Sequence, residues 1–113
     1  MLNYAPEVDE MLHALADPTR RRIVERLGDG PLTVKQVAEP LPMSLPAVVQ
    51  HLKVLEGSGL ISTSKSGRVR TCQLEPARLG TLGEWLAARQ RTWERRLDRL
   101  GQVLAAESKE DTR

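Results

Sequence analysis

Cations, with a few amide and aliphatic side chains, carry what chemistry this chain has. The stretch "KSGRVR" (65–70) sets Lys65, Arg68 and Arg70 around a Ser-Gly pair. Cations at such a turn can bury nothing, so their placement suits phosphate oxygens or the minor groove of a duplex; the alternative is a solvated charge run. Upstream, "SLPAVVQHLK" (44–53) begins Ser44, Leu45, Pro46, Ala47, Val48, Val49 before its first large polar side chain, Gln50, with Lys53 further on. On a helix entering a major groove, Leu45, Pro46 and Val49 would meet thymine methyls and Gln50 an adenine edge, because apolar groups read the methyl and a side-chain amide pairs with adenine. The alternative for Leu45 and Val49 is packing on a neighbouring element.

Covalent and metal chemistry is poorly provided for. No nucleophile–base pair, glycine-rich phosphate loop or carboxylate pair is visible, and neither Ser44 nor Ser66 has a histidine at a spacing that fits catalysis, so the chain reads as a non-enzyme. Cys72 stands alone, which excludes an intramolecular disulfide and a thiolate cluster within one chain, and fits a reducing cytoplasm. His13 and His51 are the only histidines, and His51, beside Leu52, reads as a structural hydrogen-bonding group. No metal and no cofactor is expected. A single-strand binder needs aromatic platforms, yet the aromatic residues are Tyr4, Trp85 and Trp93.

The elements that must position these groups follow from periodicity and caps. The 113 residues suffice for one domain with a modest core, read here as residues 1–106, followed by a charged, disordered tail at 107–113. Phenylalanine is absent and aromatics make up 3%, which points to an aliphatic helical core and away from a β-sandwich. Seventeen Lys and Arg against fifteen Asp and Glu leave a net +2, so the local clusters "TRRR", "KSGRVR" and "RQRTWERR" say more than the total. No apolar run approaches a membrane span or a signal sequence, so a cytoplasmic protein without a membrane partner is expected.

A first helix begins around Pro6 with Val8, Met11, Leu12 and Leu15 on one stripe. Asp17 and Pro18 open a second helix, which carries Ile23, Val24 and Leu27 and stops at Gly28. Thr33 and Gln36 stand at capping-box spacing for a short third helix that buries Val34, Val37 and Ala38 and ends at Pro40. Ser44 caps a fourth helix, 44–56, with Val48, Leu52 and Leu55 inward; Pro46 is tolerated because first-turn amides have no intrahelical partner. The period then changes to a hairpin wing, 61–74, in which a Ser66-Gly67 turn would pair Lys65 with Arg68, Thr63 with Arg70, and Ile61 with Cys72. From Pro76 a long helix carries Leu79, Leu82, Leu86, Trp93, Leu97, Leu100 and Leu104 in a near-heptad seam. That seam is too apolar for water, so a homodimer is expected, closed by Leu82, Leu86, Trp93, Leu97 and Leu100 with help from Val8, Met11 and Leu15.

The order is mainly α with a small β-hairpin: a winged helix-turn-helix with dimerisation helices at both ends, whose second motif helix enters the major groove. The expected double-stranded DNA contacts are Ser44, Leu45, Pro46, Ala47, Val49, Gln50 and Lys53 on the helix and Lys65, Arg68 and Arg70 on the wing. "LADPTRRRIVERL", "PMSLPAVVQHLKVLEGSGLI" and "SGRVRTCQLEP" resemble the ArsR/SmtB group of winged helix-turn-helix transcriptional regulators, over nearly the whole chain. The resemblance implies a homodimeric repressor with its first and last helices at the interface and an inverted repeat as target. It points to a branch without metal-sensing cysteines: in metal-binding relatives a cysteine pair opens the third helix, where this chain has Thr33 and Lys35, and its last helix lacks the histidines of their second site. Val49 stands where the group usually has serine. A small-molecule or protein effector is left open. The competing reading is a protein-interaction module that uses the last helix as a coiled coil, its wing charges serving only solubility.

Overall fold

The computed structural model describes residues 5–111, with side chains through Glu107; Tyr4, and Thr112 and Arg113 of the expected tail, lie outside them. The elements run α1 (Pro6–Ala14), α2 (Pro18–Leu27), β1 (Leu32–Thr33), α3 (Val34–Ala38), α4 (Leu45–Gly57), β2 (Ile61–Ser66), β3 (Val69–Leu74) and α5 (Pro76–Asp111). α5 continues through Asp111 into the stretch expected as a disordered tail, following the good helix formers Ala105, Ala106 and Glu107. Two compact units divide at Leu82 and Gly83.

In the first unit the local signals act as their chemistry requires. Asp17 accepts the amide of Arg20 (3.1 Å) at the head of α2. Thr33 and Gln36 form a reciprocal capping box, at 3.1 and 2.9 Å, that starts α3. Ser44 accepts the amide of Ala47 (3.3 Å), and Pro46 occupies the first turn of α4, where it removes no helical bond. Met11, Ile23, Val37, Val48, Leu55, Leu60, Ile61 and Cys72 are essentially sealed from solvent, so α4 has a core face (Val48, Leu52, Leu55) and packs against α1, α2, α3 and β2. The helix on which function is expected is therefore held by four neighbouring elements. Gly59, at φ +84°, takes the chain out of α4 where a Cβ would lie 3.0 Å from Arg78 Nε.

The sheet departs from expectation twice. Leu32 and Thr33 form a third strand, paired antiparallel with Cys72 and Thr71, giving the order β1-β3-β2. The hairpin turns at Gly67-Arg68, not at Ser66-Gly67: Ser66 pairs with Val69, Lys65 with Arg70, Thr63 with Cys72 and Ile61 with Leu74. A tight hairpin of the primed types needs positive φ at its first central residue. The Ser66-Gly67 register would place that demand on serine, whereas the observed one places it on Gly67, at φ +61°.

The expected interface residues also divide. Val8 (3% exposed), Met11 (0%) and Leu82 (6%) are already buried within the chain and offer nothing to a partner. Their periodicity marks an apolar face, and the chain's own core uses it. Leu15 is half-buried. In the second unit Leu86, Trp93, Leu97 and Leu100 remain 48–61% exposed, as do Val103 and Leu104.

Candidate nucleic-acid interface

Side chains on α4 that avoid the core fall into two rows. Leu45, Val49, Lys53 and Glu56, three or four apart, line a groove of about 680 Å³ whose other walls are α3 and the wing. Pro46 and Gln50 are exposed outside that groove. Across it the wing supplies Thr63, Arg68, Val69 and Arg70, and α3 supplies Val34, Lys35 and Ala38. Of the expected contacts, Leu45, Val49, Lys53, Arg68 and Arg70 are thus gathered about one depression, while Ser44, Pro46, Ala47, Gln50 and Lys65 do not line it. Val34 and Ala38, expected in the core, are half-buried groove walls.

The wing is electrostatically unfinished. Lys65 and Arg70 are direct cross-strand partners, an arrangement of like charges that costs stability unless an anion lies over it. Among the described residues the one ion pair is Arg78 with Glu7 (3.3 Å), elsewhere in the first unit. Glu56, the carboxylate lining the groove, accepts a hydrogen bond from Thr63 Oγ1 (2.8 Å), which ties α4 to β2.

Sequence reasoning missed the groups that hold this surface in place. Arg20 donates from Nε to the Ala14 carbonyl (2.6 Å) and from Nη2 to that of His13 (3.4 Å), closing the end of α1. Its Nη1 reaches His51 Nδ1 on α4 at 3.3 Å; guanidinium accepts nothing, so Nδ1 is the acceptor. Arg21 donates to the Leu15 carbonyl (2.8 Å). Arg26 donates to the carbonyls of Val37 (3.0 Å) and Gln36 (2.9 Å), capping α3 from α2. The signal available was only that basic side chains near a helix end can satisfy its last carbonyls. The Arg20 amide on its carboxylate holds Asp17 below the usual carboxylate range. Burial pushes the Cys72 thiol up, as befits a core residue and not a reactive one.

The helix-turn-helix domain family matches residues 15–63, from the end of α1 into β2. The HTH-type transcriptional regulator Rv2034 of Mycobacterium tuberculosis is 46% identical over 99 residues, spanning 88% of this chain and 90% of that protein. A crystal structure of an ArsR family transcriptional regulator is 45% identical, covers 83% of this chain and 97% of its own, and superposes with a TM-score of 0.75. The chain belongs to the ArsR/SmtB family. It is a helix-turn-helix DNA-binding transcriptional regulator, a non-enzymatic class. The HTH-type transcriptional repressor SmtB of M. tuberculosis is 39% identical over 59 residues, 52% of this chain and 44% of that protein. In this member of the family Thr33 is committed to the α3 capping box and Lys35 is exposed, and no set of three or more His, Cys, Asp or Glu side chains among the described residues is placed to hold a metal ion. Nor, among those residues, is any helix long and apolar enough to cross a membrane.

Proposed function

We propose that this regulator is a cytoplasmic homodimeric repressor that binds an inverted repeat in double-stranded DNA, with the exposed start of α4 in the major groove and the wing on phosphates or in the adjacent minor groove. The observation that carries this reading is the cross-strand pairing of Lys65 with Arg70 beside the turn residue Arg68, together with the exposed Leu45, Pro46 and Gln50 of a firmly packed helix. A rigid helix presenting base-reading side chains and a wing presenting unneutralised charge divide the work as duplex readers do: phosphate contacts position, and base contacts specify.

The dimeric part rests on the second unit, where Leu86, Trp93, Leu97 and Leu100 expose a seam that a second copy would cover. Two-fold protein symmetry imposes two-fold symmetry on the operator, with half-sites about one helical turn, roughly 10 base pairs, apart or a multiple of it. Sequencing the fragments that the purified protein retains from random duplexes tests both parts. An enriched inverted repeat is expected; a motif without two-fold symmetry contradicts the dimer, and no enrichment at all contradicts sequence-specific binding.

A further inference from the structure

The groove between α3, α4 and the wing has a composition that duplex DNA does not explain. Its lining is largely aliphatic, with Val34, Ala38, Leu45, Val49, Leu52 and Val69. Leu45 and Val69 flank it at 54% and 51% exposed, so apolar surface is held open to water, which is costly. Along the same lining stand four cations, Lys35, Lys53, Arg68 and Arg70, while the lining carboxylate, Glu56, is engaged by Thr63. A sugar–phosphate strand can satisfy the cations, and a thymine methyl can touch Leu45 or Val49, but neither fills an aliphatic lining of this extent. At about 680 Å³ the groove is within the ~300–1,000 Å³ range typical of small-molecule sites, which pair apolar walls with a few convergent polar groups.

We infer that this groove binds an amphiphilic anion, an acyl chain bearing a carboxylate, whose hydrocarbon lies along Val34, Ala38, Val49 and Val69 and whose head group meets Lys53, Arg68 or Arg70. Because Leu45, Val49, Lys53, Arg68 and Arg70 are also proposed DNA contacts, such a ligand and the duplex exclude one another. The ligand is then an inducer by direct competition and needs no conformational relay. The exclusion rests on the function proposed above; the ligand site itself does not.

Dodecanoate, below its micellar concentration, is the probe, titrated calorimetrically into the DNA-free protein and separately into its complex with a retained duplex. One site per chain is expected, with a negative heat-capacity change from apolar burial, and dodecanoate should displace the duplex. Dodecyltrimethylammonium, with the same chain and the opposite charge, should bind at least tenfold more weakly. Val69→Glu, at an exposed strand end where folding is not at stake, and Ala38→Phe, which fills the groove, should each weaken dodecanoate at least tenfold. Undiminished binding in Val69→Glu would place the fatty acid on some other apolar surface, such as the α5 seam, and overturn the inference. So would equal affinity for the ammonium amphiphile, or no binding of dodecanoate at all. Salt-dependent duplex binding without any dodecanoate effect defeats this inference alone. Groove-dependent dodecanoate binding in a protein that ignores duplex DNA defeats the proposed function and leaves the ligand site standing.

Discussion

Two arginine-rich stretches of this chain, on α2 and on the wing, look alike as text and do opposite things. On α2, Arg20, Arg21 and Arg26 donate guanidinium hydrogens to backbone carbonyls at the ends of α1 and α3, at 2.6–3.4 Å, while Arg22 between them is exposed. On the wing, Lys65, Arg68 and Arg70 are exposed and Lys65 directly faces Arg70. The first set stabilises the fold and is consumed by doing so. The second destabilises it slightly and is left available. A cationic run therefore reports function only when the local structure leaves its charges without partners, and helix ends are the partners that most readily absorb them.

The contrast can be sharpened by substitution, starting with the largest expected effect. Arg20→Ala removes bonds to two carbonyls and to His51, and hydrogen bonds from a charged group are worth about 1.5–3 kcal/mol. A loss of about 2 kcal/mol in urea unfolding is expected, with Arg26→Ala close behind. Arg68→Ala and Arg70→Ala should instead leave stability within about 0.5 kcal/mol, so comparable destabilisation in both sets would break the contrast. Gln50→Ala, on the outer row of α4, should leave folding alone and cost about 1–3 kcal/mol of binding on the preferred sequence, relaxing one base pair per half-site. Lys65→Glu replaces a like-charge cross-strand pair with an opposite-charge one and should stabilise the apo protein by roughly 0.2–1 kcal/mol while weakening duplex binding. Smallest is a pH effect at the head of α2. The folded pKa of Asp17 is depressed, so its contribution is present above the unfolded carboxylate value and is lost as pH falls through the folded one. Asp17→Asn keeps a cap and should flatten that part of the acid limb; an identical acid limb in the variant would count against the cap's role.

How much of this was legible depended on the range of the interaction. The caps at Asp17, Thr33 and Ser44 were readable because donor and acceptor lie three residues apart. The core face of α4 and the position of the wing were readable from period alone. The hairpin register was misplaced because a Ser-Gly pair looks like a turn until the positive φ is assigned to a particular residue. β1 escaped notice because its two residues also serve as the approach to a helix cap. The stripe of Val8 and Met11 reads equally well as a partner face or a core face, because an apolar stripe does not say what covers it. The arginine bonds of α2 depend on how helices meet in space, as with Arg26 and the end of α3, and no spacing rule announces them. Of the candidate site, the residue types were legible; their division into a groove-lining row and an outer row was not.

Charge on the wing is free for phosphate while the guanidinium groups of Arg20 and Arg26 on α2 are engaged, and the salt dependence of duplex binding measures that difference most directly. For each phosphate contact removed, the slope of log K against log salt concentration should shrink by about 0.9. Arg70→Ala should therefore reduce the slope by about 0.9 per chain, on specific and random duplexes alike. Arg26→Ala, measured where it is still folded, should leave the slope as in the parent. Equal slopes for Arg70→Ala and the parent, or an equal reduction in both variants, would show that the wing cations are no freer for phosphate than Arg26.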